Sequence, residues 1–491
     1  MKKTLPTDVR NIGILICAYL SLLLVCSCHT SPLYPNYFGG DSAIFSLMGK
    51  GVVMGKTLYT DLFDHKGPFI FLINALGHLI GGRNGIFLLQ CIFGSVSVCF
   101  LYLTGKMLRP NGKYRSFLEC FALILLGMVF FFYSFESGNL TEEYSLPFIS
   151  VCAYLFVKYF VHLEKHSEHP TIYAFVYGIC LAFVAFLRLN NAVTICAGIL
   201  YIGVYLCVQK KFHNLLMNMI FGLLGLTVVA VPVLMYCWFN GNLYEMLYAT
   251  FLHNFVIAGN TAHVAFISNW KLFTGLYAPF FACFVLLLYT WYKQRKLCIL
   301  DGLLLTILFF NFLCLWLANR FPHYFAIFVP VYLLFLLRYL HFDLKRDIAV
   351  LCVVLLCAAP SARFAYSRVI SNAKIVYAKG NVRYTTVASD YDVIPDHEKD
   401  SVIGFEVSAC DYLALDIIPC YKYYTLQQTW SITTPTIMPD FVDWVSENRP
   451  TWLLTWNDEI PEEVKALLEA SYSCCAENEY IVFYRLNEAA D

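Results

Sequence analysis

The chain has 491 residues, 59% of them hydrophobic and only 14% charged, with a mean hydropathy of +0.62. An ordinary soluble domain carries about 25% charged residues, so water-soluble folding of the whole chain is excluded. The formal net charge of zero is unevenly shared: after Pro360 there are 10 Lys and Arg against 20 Asp and Glu, and before it 24 against 14. An acidic tail is a poor partner for nucleic acid or anionic headgroups, and no nucleic-acid partner is expected.

At the N-terminus, Lys2 and Lys3 precede an apolar run from Ile12 to Cys26 that imitates a secretory signal. It reads instead as an uncleaved anchor, because the topology below needs that helix. A bilayer core takes about 20 mostly apolar residues per helix. That length picks out eleven spans: 11–29, 85–104, 117–135, 143–160, 171–187, 191–208, 215–239, 272–292, 297–318, 322–340 and 347–362.

Loop charges orient them. With the N-terminus cytoplasmic, one set of helix ends holds 17 Lys and Arg and the opposite set 7, which is the asymmetry the positive-inside rule predicts. The expected fold class is a polytopic α-helical membrane protein with a small extracytoplasmic α/β domain at its C-terminus. Residues 1–362 form the membrane domain, with a first outside loop at 30–68, and residues 363–491 the tail. Segments 41–56 and 242–259 mix apolar and polar faces and read as helices lying in the membrane interface. Phe69 to Ile80 is too short to span and reads as re-entrant or interfacial.

In the tail the period changes. Val402–Val407, Tyr421–Leu426, Thr451–Trp456 and Tyr480–Tyr484 read as strands, and Phe441–Asn448 and Pro461–Ala470 as helices. Gly404 is the only glycine after Gly380, so no phosphate-cradling loop is present there. Much of the cysteine lies in apolar runs, where it acts as a small hydrophobe. Cys410 and Cys420 could pair in an oxidising compartment. His162, His166 and His169 read as a solvated loop on the cytoplasmic side.

The first outside loop concentrates Asp41, Asp61, Asp64, His65 and Lys66 in a chain that otherwise avoids charge. Ionisable groups beside hydrocarbon are costly unless paired or wetted, so the cluster is a functional-site candidate; the plain alternative is a solvated loop with ion pairs. Further candidates are Glu142 and Glu143 at a helix start, which also suit the helix dipole. Arg188, Arg320 and His323 lie at outside helix ends, where snorkelling is the competing explanation. A divalent metal could use Asp64, His65 and Glu142 or Glu143, but the spacing specifies no site.

The order of the loop residues is informative: Asp41 opening an amphipathic helix, Gly55-Lys56 followed by Tyr59 and Asp61, then Phe63 to Pro68 before an apolar run. It resembles the first periplasmic loop of GT-C glycosyltransferases, specifically bacterial members like glycosyltransferase family 39, the protein mannosyltransferase and aminoarabinose transferase type. The eleven-helix layout, Arg188 to Asn191, Asn319 to Tyr324, and Thr429-Trp430 in the tail extend the resemblance over nearly the whole chain. It implies an inverting transferase of the inner membrane that moves a sugar from a polyprenyl-phosphate donor to an envelope acceptor, whether lipid, glycan or protein. No cofactor is required, and a divalent metal stays open. Asp41 matches the family's loop-one carboxylate and is expected to be the base; the competing role is an N-cap for the helix it begins. Lys66, Arg188, Arg320 and His323 would bind the donor phosphate, with Asp61, Asp64, His65, Glu142 and Glu143 at the acceptor or donor. Alternatives are a lipid-linked glycan flippase, or a polymerase or ligase using a diphosphate-linked donor.

Overall fold

A computed structural model describes residues 7–35, 37–109, 113–163, 168–254, 270–317, 321–340, 348–377, 393–456 and 460–487. Among the described residues ten helices are long and apolar enough to cross a membrane: Thr7–Cys26, Arg83–Leu108, Phe117–Ser134, Thr141–Val161, Leu189–Val208, Phe212–Phe239, Thr274–Gln294, Ile299–Leu317, Pro322–Tyr339 and Ile348–Lys374. The remaining expected span, 171–187, is the shorter apolar helix Thr171–Ala185, and Pro68–Gly81 is a second short one. The chain is therefore a polytopic helical membrane protein with a small C-terminal sheet domain.

By contacts the chain forms two compact units. One comprises residues 1–26, 88–236 and 261–372; the other comprises 27–87, 237–260 and 373–491. The first loop, the segment after Phe239 and the tail thus belong to one body. The helix expected to end at 362 runs on from Ile348 to Tyr377 through Pro360, so no break in structure marks the division at 362/363.

In the first unit, small residues let backbones meet, as between membrane helices generally. A Cβ on Gly178 would lie 2.0 Å from the Gly222 carbonyl oxygen, and one on Gly225 2.0 Å from that of Phe175. The short helix Thr171–Ala185 thereby seats against Phe212–Phe239. Buried helix ends need partners for their last carbonyls. Arg109 provides them for Val329–Tyr339: its Nε donates to Leu337 O at 2.7 Å and its Nη2 to Leu336 O at 3.2 Å, while Leu340 O and the Glu119 carboxylate take further bonds.

His169 departs from the expected solvated loop. It is buried, its N–H donates to Asn214 Oδ1 at 2.9 Å, and its Nδ1 lies 2.7 Å from Asn218 Oδ1. Both asparagines come from the helix Phe212–Phe239 and return bonds to the His169 carbonyl. His166 lies outside the described residues.

In the second unit, helices Gly40–Val53 and Pro68–Gly81 pack together, and the tail helix Ala409–Ala414 packs on Gly40–Val53. The tail sheet has four strands, β1 Val402–Phe405, β2 Trp452–Trp456, β3 Tyr472–Glu477 and β4 Ile481–Leu486, in the order β1-β2-β4-β3. β1 and β2 are parallel; the other pairs are antiparallel, with a bulge between Cys474 and Ala476. Tyr421–Leu426, expected as a strand, is irregular, because its carbonyls are already engaged. Lys422 O accepts from the Phe63 N–H at 3.0 Å, Tyr423 O from Gln427 at 2.8 Å, and Tyr424 O from the Tyr412 hydroxyl at 3.1 Å. β3 was not expected: it is an edge strand in which only Tyr472 is buried, so it lacks an apolar alternation. No disulfide joins Cys410 to Cys420 in the structure.

Two outcomes follow. Arg109→Leu takes the guanidinium away from the buried carbonyls and from Glu119, and should lower stability by on the order of 3 kcal/mol, read as a fall in apparent melting temperature of the detergent-purified protein. Burial holds His169 at about 4. The unfolded chain takes up a proton below about pH 6.5 that the folded chain refuses until about pH 4, so stability falls as pH drops through that window. Wild type should lose melting temperature between pH 7 and 5 relative to His169→Gln; parallel pH profiles would refute this.

Candidate functional site

Asp41 lies in the first turn of Gly40–Val53. The N-cap is Gly39, which has no side chain to cap with, so the expected alternative role of Asp41 as N-cap is not what the helix uses. A carboxylate in the first turn is favoured there by the helix dipole. Downstream, Tyr59 adopts a left-handed φ of 66°, and the buried Tyr59 hydroxyl donates to Lys66 O at 2.9 Å. Asp61 closes the intervening turn, its Oδ2 accepting the Thr57 N–H at 2.6 Å. Pro68 then occupies the first turn of Pro68–Gly81, where its missing N–H is no loss.

These constraints bury Lys66 in the middle of the loop's charges. Its Nζ is 4.0 Å from Asp41 Oδ2, 4.0 Å from Asp64 Oδ1, and donates to His65 Nε2 at 2.9 Å. The Asp64 Oδ1 also accepts the Lys66 backbone N–H at 2.9 Å, and Asp64 Oδ2 is 3.8 Å from His65 Nδ1. The Phe45 ring faces the ammonium with its centroid 5.8 Å away. The two carboxylates differ in access: the Asp41 side chain is 39% exposed and that of Asp64 4%. Asp41 is thus open on one side, whereas Asp64 is enclosed beside Lys66.

Three further residues complete this cluster. Asn254 Nδ2 donates to His65 O at 3.2 Å. His253 is buried among Phe63, His65, Tyr248 and Trp430, with centroid distances of 5.6 to 6.1 Å. Among the described residues neither of its ring nitrogens has a hydrogen-bond partner. Burial, reinforced by the Lys66 ammonium, holds its pKa below the ordinary value. A π-helical turn at Tyr248–Leu252 precedes it, a local widening often found at functional sites. The sequence signalled Trp430 but not His253 or Asn254, whose only cue was the mixed polarity of 242–259.

The other unit carries a separate group. Glu142, buried in the first turn of Thr141–Val161, accepts from Arg188 Nη1 at 2.9 Å and from the Thr141 hydroxyl at 2.9 Å. The Arg188 guanidinium lies 3.8 Å from the Tyr324 ring centroid, a cation–π contact. Glu143 Oε2 accepts from Gln90 at 2.7 Å and from the Asn139 N–H at 2.9 Å. His323 Nδ1 pairs with the Glu136 carboxylate. Arg188 and His323, expected as phosphate cations, thus each have a carboxylate partner. Arg320 lies outside the described residues.

Among the described residues no group of three His, Cys, Asp or Glu side chains is arranged to hold a metal ion. In the loop, the Lys66 ammonium stands between the Asp41 and Asp64 carboxylates, so this set does not fit a divalent cation.

No protein-family model matches the sequence, and no curated protein matches it. Solved structures do. ArnT from Cupriavidus metallidurans bound to undecaprenyl phosphate superposes with a TM-score of 0.63 at 11% identity, over 97% of this chain and 98% of that one. The Archaeoglobus fulgidus oligosaccharyltransferase in complex with Zn and sulfate gives 0.51 at 15% identity, over 90% and 68%. The Archaeoglobus fulgidus oligosaccharyltransferase AglB with an inhibitory peptide and a dolichol-phosphate gives 0.50 at 14%, over 89% and 69%. With such agreement in architecture at such low identity, the chain has the GT-C fold, the one its loop motifs resemble.

Proposed function

We propose that the protein is an inverting glycosyltransferase of a bacterial cytoplasmic membrane, transferring one sugar from a polyprenyl phosphate to an envelope lipid, glycan or protein. The observation that carries this reading is the accessible Asp41 carboxylate held 4.0 Å from the buried Lys66 ammonium. A general base and a cation for a leaving anion are the two groups that the chemistry requires. The lipid phosphates named for structures of the same fold support a lipid-linked donor.

In the proposed reaction the acceptor hydroxyl or amine attacks the anomeric carbon, its proton passes to Asp41, and the bond from that carbon to the phosphate oxygen breaks. The electron pair leaves on polyprenyl phosphate, whose charge Lys66 offsets. Asp64 and His65 fix the Lys66 ammonium, and Asp61 shapes the loop. Arg188, Arg320 and His323 are assigned to the donor phosphate. Glu142 and Glu136 lessen the charge of Arg188 and His323, and Glu143 sustains the Asn139 turn. No step runs through a metal. The N-terminus faces the cytoplasm and the tail the periplasm, as the loop charges predict.

Asp41→Asn, at unchanged expression and melting temperature, should reduce transfer at least ~100-fold, the usual worth of a general base. Near-normal transfer would remove Asp41 from that role. Lys66→Ala should raise the donor KM by ~10-fold or more, the value of one charge-assisted bond; unaltered donor saturation would count against the phosphate assignment. Mass spectrometry of the lipid product after incubation with panels of polyprenyl-phosphate and polyprenyl-diphosphate sugars decides the class. Free polyprenyl phosphate supports transfer, a polyprenyl diphosphate indicates a polymerase or ligase, and no lipid product indicates a flippase or a structural protein.

A further inference from the structure

The second unit holds a cavity of about 320 Å³ that the loop cluster does not use. Its volume falls within the ~300–1,000 Å³ of small-ligand sites, at the end that suits a single sugar ring. One wall is a stripe of the helix Gly40–Val53: Ser42, Ser46 and Lys50 follow one another at four-residue spacing and share a face. This is the helix whose first turn carries Asp41. His78 closes the next side, its Nε2 lying 3.0 Å from the Ser46 hydroxyl. His29 and Phe38 add flat ring surface, and His29 is stacked on Tyr37 with centroids 5.8 Å apart. Gly39 makes room for that ring, since a Cβ there would lie 2.0 Å from His29 Nε2.

The charges of the wall suggest what it takes. Lys50 is paired with Asp416 of the tail, which places an ammonium and a carboxylate side by side. Arg83 directs its guanidinium to the backbone oxygens of Cys28, His29 and Tyr37, at 2.6, 2.7 and 3.1 Å, and so holds the loop. A phosphate would have to displace Asp416 from Lys50. A sugar ring has no such conflict: its hydroxyls both donate and accept, its C–H face packs on rings, and neighbouring hydroxyls can bridge an ammonium and a carboxylate.

We infer that this cavity is a carbohydrate subsite, binding an uncharged sugar unit of the acceptor next to the group that Asp41 activates. The acceptor assignment rests on the transferase reading given above; the binding of a sugar does not.

The test uses the full chain in lipid nanodiscs free of glycoside detergents. Saturation-transfer NMR with methyl glucoside, galactoside and mannoside reads binding, and inorganic phosphate serves as competitor. At least one glycoside should bind, and Ser46→Leu, which puts an apolar branched side chain into the cavity in place of the hydroxyl, should weaken it at least tenfold. Ser46→Ala removes only the hydroxyl, should weaken it severalfold, and stands in if the larger residue prevents folding. The inference is overturned if no glycoside binds, if both folded variants bind as wild type does, or if phosphate displaces the glycoside. A preparation that binds glycoside but releases no polyprenyl phosphate from any donor overturns the acceptor role together with the transferase reading.

Discussion

One ammonium group organises the loop. Lys66 is buried with Asp41 and Asp64 each 4.0 Å away and His65 at 2.9 Å. A buried charge is tolerated only when its neighbours compensate it, so the loop must bring these side chains together before it can pack. Tyr59, Asp61 and Pro68 set the backbone that does so, and His253 adds a neutral ring rather than a second cation. An arrangement needed to bury one lysine also leaves Asp41 at the edge of the charge cluster, partly open and next to a cation.

The fold was largely legible because membrane helices are specified by length and apolarity, which do not depend on distant partners. Ten of the eleven expected spans are of crossing length in the structure, and the eleventh is present as a shorter helix. The misreadings arose where long-range contacts override local pattern. Tyr421–Leu426 has strand composition, yet its carbonyls bond to Phe63, Gln427 and Tyr412. β3 carries no apolar alternation and is a strand because β4 pairs with it. The span read over 347–362 lies within a longer helix, Ile348–Tyr377, which continues past Pro360, as helices in this environment can.

The candidate site was legible in part for the same reason. Asp41, Asp64, His65 and Lys66 are close in sequence and stood out against an uncharged background. The pairing of Arg188 with Glu142, or of His323 with Glu136, joins residues 46 and 187 positions apart, and nothing local announces it. His253 was invisible because a single histidine in an apolar segment carries no pattern; only its surroundings distinguish it.

The pair between Lys50 and Asp416 joins positions 366 residues apart, and the bond from Phe63 to Lys422 spans a similar stretch. During synthesis the loop leaves the ribosome long before either partner exists. It must therefore wait, hydrated and incomplete, while the intervening helices are inserted, and it acquires its support only when the tail is made. A nascent or truncated chain would carry every residue of the charged cluster without the body that steadies it, so competence for chemistry would arrive last, as a check on the completeness of the molecule.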